Sequence, residues 1–102
     1  MNDKKFFSIY IPALIEALLK VNNSSNYIAK GPDWYIEDKM LKEEVDLFEE
    51  NNYEKYSTFF DLVAYYLDAV EHNFPNIDGI PLDEYRQMLE KEISFYKKEF
   101  ML

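Results

Sequence analysis

The chain has 102 residues, including eight Phe and nine Tyr, which is enough for one hydrophobic core but not for two. It contains no cysteine, which excludes disulfides and thiolate metal sites and favours a reducing compartment, the cytoplasm. The net charge of −9 disfavours direct binding to nucleic acid and to anionic membranes. We therefore expect a single domain, residues 1–102.

The negative charge is concentrated in the middle of the chain. Residues 31–55 carry nine acids and three lysines, and residues 56–83 carry five acids and neither lysine nor arginine. Residues 1–30 are weakly positive, and residues 84–102 are balanced. A field of this sign attracts basic proteins at a rate that falls with salt, although acidic surfaces also serve solubility alone.

The first predicted element is a helix, because apolar residues recur three and four positions apart. Its inward stripe consists of Phe7, Ile11, Leu14, Leu18 and Val21. Asn2 or Asp3 is the expected cap, and Pro12 either kinks the helix or marks its start. A strand at FFSIYI before a shorter helix is the alternative. Glu16 interrupts the apolar run, so we predict neither a signal peptide nor a membrane span.

Residues 22–33 are predicted as a loop, and a second helix then runs from Asp33, its cap, to the Asn pair at 51 and 52. The predicted inward side contains Trp34, Leu41, Val45 and Phe48, with Met40 and Leu47 beside them. The outward side contains Glu37, Glu43, Glu44, Asp46, Glu49 and Glu50. This helix is therefore expected to present a strongly acidic surface.

The third helix contains the stretch DLVAYYLDAVEHNF and is expected to be capped by Ser57 or Asn52. Its predicted inward stripe is Tyr56, Phe59, Phe60, Val63, Leu67 and Val70. On the opposite side Asp61, Tyr65, Asp68 and His72 follow at spacings of four, three and four, so they share one outward line. Tyrosines 35, 53 and 66 are also predicted near the surface.

The IDGIP turn separates the third helix from a fourth. Asp83 and Glu84 fall in the first turn of this last helix and Lys97 and Lys98 in its last turn, which suits the helix dipole. Its predicted buried stripe is Tyr85, Leu89, Ile93, Tyr96 and Phe100. Four amphipathic helices joined by short loops predict an all-α fold, specifically an antiparallel four-helix bundle.

Residues that most enzymes require are scarce, since the chain has one His, no Cys and two glycines outside any Gly-rich loop. We therefore predict neither catalysis nor a cofactor. Asp68, Glu71 and His72 come nearest to a metal site, but we assign His72 to supporting a helix C-terminus instead. The turn NIDGIPLDE lacks carboxylates where a calcium loop needs them.

Tyrosines among carboxylates favour a protein-binding face, because Tyr supplies contact area and the acids attract a basic partner. Readers of nucleic acid combine aromatics with Arg and Lys instead. A helix face that is merely solvated is the other interpretation. The candidate partner-binding residues are Asp61, Tyr65, Asp68 and Glu71 on the third helix, and Glu43, Asp46 and Glu50 on the second.

The segment LVAYYLDAVEHNFPNIDGIPLDEYRQMLEKEI, residues 62–93, combines an aromatic and acidic helix, a Pro-containing turn and an Ile-Asp lead into a final helix. This pattern resembles the small acidic immunity proteins of the colicin D and contact-dependent growth inhibition type. The resemblance implies an all-α inhibitor of a cognate toxin, commonly a nuclease acting on tRNA. The phosphate-binding site of a ribonuclease is basic, so an acidic face can occupy it.

The negative electrostatic field of the chain would also suit an alternative function. An acidic inhibitor of the phage type would mimic nucleic acid and block a host DNA-binding protein or a CRISPR nuclease. Such an inhibitor would tolerate several basic partners, whereas an immunity protein would bind one cognate toxin.

Overall fold

The computed structural model describes residues 1–22 and 29–102, and most of these are helical. The elements are α1 (Asp3–Asn22), a 3₁₀ helix (Pro32–Tyr35), α2 (Lys39–Asn51), α3 (Ser57–Glu71), β1 (Asn76–Ile77), β2 (Ile80–Pro81) and α4 (Leu82–Glu99). The four predicted helices are therefore confirmed, and a short β-hairpin joins the last two. The antiparallel arrangement of the helices stays a prediction. Residues 23–28 of the predicted loop lie outside the described residues.

Helix α1 begins at a side-chain cap, as predicted. The Asn2 Oδ1 atom accepts a hydrogen bond from the Lys5 backbone N–H at 2.8 Å. The helix is continuous through Pro12, so a strand at FFSIYI and a helix start at Pro12 are both wrong. Pro12 has no backbone N–H, so the carbonyl of Ser8 lacks its usual partner in the helix. Ser8 and Pro12 are both exposed, so water is available to that carbonyl. A kink at Pro12 stays a prediction.

Two neighbouring phenylalanines of α1 organise the core. Phe6 stacks on Phe48 of α2 with ring centroids 4.2 Å apart and meets Phe60 of α3 edge-on. Phe7 stacks on Tyr96 of α4 at 4.6 Å. Both phenylalanine side chains are fully buried. Because Phe6 contacts α2 and α3 while Phe7 contacts α4, α1 holds the other three helices together.

The second predicted helix is divided in two, and its predicted start at Asp33 is wrong. Pro32 opens a 3₁₀ helix that ends at Tyr35, and α2 begins only after Asp38, whose carboxylate accepts from the Leu41 N–H at 3.0 Å. Ile36, in the segment that joins the two helices, is buried. Trp34 was expected to lie inward, but it is 61% exposed. The inward positions of Val45 and Phe48 on α2 are confirmed.

Helix α3 buries the predicted Phe59, Phe60, Val63 and Leu67. Its predicted cap is wrong, because no described side chain caps α3 and Asn52 Nδ2 donates instead to the Phe48 carbonyl oxygen at the end of α2. Tyr66 is buried rather than near the surface. Its hydroxyl accepts a hydrogen bond from Arg86 Nη1 of α4 at 3.2 Å, which satisfies the buried oxygen.

The end of α3 is fixed by a Schellman motif. Asn73 has a φ of 58°, its N–H donates to the Val70 carbonyl oxygen, and the Phe74 N–H donates to the Ala69 carbonyl oxygen at 2.9 Å. The hairpin turn follows, with positive φ at both Asp78 and Gly79, as a type I′ turn requires.

Helix α4 follows the hairpin directly and agrees with its prediction. Tyr85, Leu89 and Ile93 are buried, and Tyr96 and Phe100 pack half-buried against the core. The acids of the first turn and the lysines of the last turn lie where they were expected. Among residues 1–22 and 29–102, no helix combines the length and the apolar character that crossing a bilayer requires.

Candidate functional site

A cleft of about 560 Å³ lies between the 3₁₀ helix, α2 and α3, and we call it the acidic cleft. Its carboxylates come from all three elements: Asp33, Asp46, Glu49, Glu50 and Asp61. Its other lining residues are Tyr10, Gly31, Pro32, Tyr53, Phe60, Val63, Ala64 and Leu67. None of these described lining residues is lysine or arginine, so the cleft is a concave surface of one charge sign with partly aromatic walls.

Helix geometry explains why α2 contributes three acids to the cleft. Asp46, Glu49 and Glu50 follow one another at spacings of three and one, so they lie on one flank of the helix. Val45 and Phe48 anchor α2 to the core and thereby turn that flank toward α3. The Asp38 cap sets where the helix begins.

Glu49 is half-buried, not fully outward as predicted, and its environment disfavours a negative charge. Burial raises its pKa, and the nearby charges of Asp46 and Asp33 raise it further, while a hydrogen bond from the Tyr10 hydroxyl opposes the shift. Burial and the charge of Glu49 in turn raise the pKa of Tyr10 well above its usual value. The cleft therefore holds like charges in a partly dry environment.

Asp46 is affected by the same crowding. Burial and the charge of Asp33 raise its pKa, and Lys42, one turn earlier on α2, partly compensates. A cation placed in the cleft would relieve this repulsion. The cleft is therefore suited to bind a positive group.

Tyr53 and Asp61 form the rim of the cleft. The Tyr53 hydroxyl donates a hydrogen bond to Asp61 Oδ1, and this bond is the main reason that the pKa of Tyr53 is raised. The partly exposed position of Tyr53 confirms the prediction made for it. Tyr65 lies close enough to Tyr53 to contribute to the same pKa shift, so the rim continues along the outward line of α3.

A second concavity of about 390 Å³ lies between the outward line of α3 and the hairpin, and we call it the hairpin groove. It is lined by Tyr65, Asp68, Ala69, Phe74, Asn76, Ile77 and Asp78. Asp61 of the cleft and Tyr65 of the groove lie one helical turn apart on α3. The two concavities are therefore adjacent along α3.

The structure divides the predicted partner-binding residues between these two places. Asp46, Glu50 and Asp61 line the acidic cleft, whereas Tyr65 and Asp68 line the hairpin groove. The exposed Glu43 and Glu71 are not among the lining residues of either.

Some residues of the cleft were not predicted as site residues. Asp33 was predicted only as a cap, Glu49 only as an outward acid, and Tyr10 did not figure in the predicted stripe of α1. The apolar spacing that places Ile11 and Leu14 inward also places Tyr10 near the core, but it does not show which helix Tyr10 faces.

His72 is the residue that follows α3, where it supports the end of that helix. Its Nδ1 atom lies 2.9 Å from the Asp68 carbonyl oxygen, and this hydrogen bond, followed by the charge of Asp68, raises the pKa of His72. Possible ligand atoms of His72, Asp68 and Glu71 lie within 4.8 Å of one another. Among the described residues, these exposed side chains form the group whose spacing would suit a metal ion. The bond to the helix end agrees with the role that we predicted for His72.

Comparison with known proteins does not place the chain in a family. No family model, curated protein or solved structure matches it.

Proposed function

We propose that this protein is an immunity protein, which binds a cognate basic toxin domain and neutralises it. The toxin class that we propose is a nuclease acting on tRNA, in line with the resemblance of residues 62–93 to immunity proteins. One observation carries the proposal: five carboxylates from three elements converge on a cleft whose described lining residues include neither lysine nor arginine.

Electrostatics supports a basic protein as the partner. A nuclease must hold phosphates and therefore has a basic active site, which is complementary to the cleft in charge. Burial, and after it the neighbouring acids, raise the pKa values of Glu49 and Asp46, and a positive partner would stabilise these charges. Charges of this kind speed association as well as strengthen the complex.

Binding, rather than catalysis, is the proposed role of these acids. His72, the single histidine of the chain, is not among the described residues that line the cleft. Pairs of carboxylates can catalyse glycoside hydrolysis, but any strongly acidic protein offers such pairs, so they are not evidence for catalysis. The proposal also includes the cytoplasmic location and the antiparallel four-helix arrangement that the sequence predicted.

Affinity capture from the native organism tests this function. The wild type, an Asp46→Lys/Asp61→Lys variant and a control Glu16→Lys/Glu84→Lys variant are compared after washes at low and at high salt. Both double variants change the net charge equally, but Glu16 on α1 and Glu84 on α4 are exposed outside the cleft. Circular dichroism first establishes that all three proteins are folded.

The expected result is one toxin domain that the wild type and the control retain through both washes and the cleft variant loses. Reversal of charges in an interface costs at least about 2–5 kcal/mol, which corresponds to a loss of affinity of about thirtyfold or more. Equal retention by all three proteins would exclude the cleft. Many salt-labile basic partners would favour the nucleic-acid mimic, and capture of nothing would leave solubility as the role of the acids.

A further inference from the structure

Two exposed aromatic side chains line the hairpin groove. Tyr65 is 51% exposed and Phe74 is 50% exposed, although both are large side chains with apolar faces. Asp68 and Asp78 line the same groove, and none of its described lining residues is lysine or arginine. Exposed rings beside carboxylates form a surface on which a cation finds both π-faces and negative charges.

The Phe74 ring is exposed but its backbone is held on both sides. Its N–H donates to the Ala69 carbonyl oxygen at 2.9 Å, and the next residue, Pro75, accepts from the Leu82 N–H at 3.3 Å. The His72 ring stacks on the Phe74 ring with centroids 5.6 Å apart. The fixed backbone and the stacking contact reduce the conformational freedom that the Phe74 ring loses on binding.

We propose that the hairpin groove is a second contact for the basic partner and that it takes an arginine side chain. The guanidinium would lie against the rings of Tyr65 and Phe74 and pair with the carboxylates of Asp68 and Asp78. This inference rests on the proposed function, because the arginine belongs to the same basic partner that fills the acidic cleft.

The chemistry of the groove selects arginine among possible occupants. A planar guanidinium stacks on aromatic rings and forms paired hydrogen bonds with carboxylates, whereas a lysine ammonium is a strongly hydrated point charge. A second copy of this chain carries the same net charge of −9, so its approach is opposed by overall repulsion. Nucleic acid carries the same charge sign as the groove.

The position of the groove supports a shared partner. Tyr65 lines the groove and also lies near Tyr53 and Asp61, which form the rim of the acidic cleft. One protein surface can therefore cover both concavities. In such an interface the cleft supplies charge attraction and the groove supplies aromatic anchors, which commonly carry much of the binding energy.

The test is an NMR titration of the ¹⁵N-labelled full chain with acetylated tri-arginine amide, and with the corresponding tri-lysine and tri-glutamine peptides. Backbone signals of Ala69, Ile77 and Asp78 report on the groove, and those of Asp46 and Glu50 report on the cleft. The titration is run at about pH 8, where His72 carries less positive charge beside Asp68.

The variant Phe74→Leu keeps an apolar side chain at the end of α3 but removes the π-face. Tri-arginine is expected to bind the groove of this variant about two- to fivefold more weakly, while its affinity for the cleft stays unchanged. Phe95→Leu is the matched control, since Phe95 is exposed on α4 and is not among the described residues that line either concavity. It should behave as the wild type.

Several results would overturn the assignment. Groove signals that do not respond while cleft signals do would end it and leave the proposed function standing. Groove signals that respond equally to tri-glutamine or tri-lysine, or unchanged affinity in Phe74→Leu, would exclude an arginine-specific site. Groove signals that shift with protein concentration alone would identify a second copy as the occupant. Loss of the cleft response alone would count against the proposed function and not against the groove.

Discussion

Replacing Phe48 by Ala should destabilise the whole protein and should loosen α2 in particular. Of the residues of α2, only Val45 and Phe48 are buried, so few side chains attach this helix to the core. Phe48 also stacks on Phe6 at 4.2 Å, the shortest ring separation among the described aromatic pairs. Because Asp46, Glu49 and Glu50 lie on α2, loss of this anchor also disturbs the acidic cleft.

The expected magnitude follows from the burial of Phe48. A buried Phe→Ala replacement costs about 3–5 kcal/mol, which includes the cavity and the lost ring contact. A chain of this length has a total stability of about 5–15 kcal/mol. The melting temperature should therefore fall by at least about 12 °C, since each kcal/mol corresponds to about 4–8 °C in a small domain.

Urea denaturation followed by circular dichroism measures the global effect, and hydrogen exchange measures the local one. In the variant, amides of α2 should keep less protection than the amide of Leu89 in α4. Leu47→Ala is the control, because Leu47 is exposed on the same helix and its loss should change stability by less than about 0.5 kcal/mol. A cost for Phe48→Ala no larger than that of Leu47→Ala, or equal remaining protection of α2 and Leu89 in the variant, would contradict the role of Phe48 as the anchor of α2.

Two further predictions concern carboxylates with shifted pKa values. The pKa of Glu49 is raised in the fold, so its charge destabilises the protein at neutral pH. Glu49→Gln should therefore raise the free energy of unfolding at pH 7 by about 0.5–2 kcal/mol. The gain should vanish near pH 4, where wild-type Glu49 is protonated. A lower urea midpoint at pH 7 would contradict this. Hydrogen bonds from Lys55 and Tyr56 lower the pKa of Asp3, so Asp3→Asn should cost about 0.5–1 kcal/mol of stability at pH 7. The difference from the wild type should shrink as the pH falls through the pKa of Asp3. A difference that grows in acid would contradict this prediction.

The periodicity of apolar residues was sufficient to predict the four helices, because each buries a stripe that repeats at helical spacing. It failed at the start of α2, where Asp33 and Trp34 look like a cap and a first buried residue. The chain there forms a separate 3₁₀ helix and buries Ile36, which no cap rule indicates. The Asp78-Gly79 pair between two isoleucines did carry a hairpin signal, although the prediction treated it only as a turn.

The candidate site was less accessible to prediction than the helices were. Sequence spacing shows which acids share a side of one helix, but it does not show which helix that side faces. Asp61 and Asp68 share a line on α3 and yet line different concavities. The contact of Glu49 with Tyr10 joins residues 39 positions apart, so it follows only from the packing of α1 against α2.

The exposed position of Trp34 has a practical consequence for spectroscopy. Trp34 is the only tryptophan of the chain, it follows Asp33 of the acidic cleft, and Lys30 Nζ lies 4.6 Å from the centre of its ring. Its fluorescence therefore reports on solvent and charge at the edge of the cleft rather than on the core. A partner that covers the cleft will change this emission without any attached dye, so association can be followed in real time with the unlabelled protein.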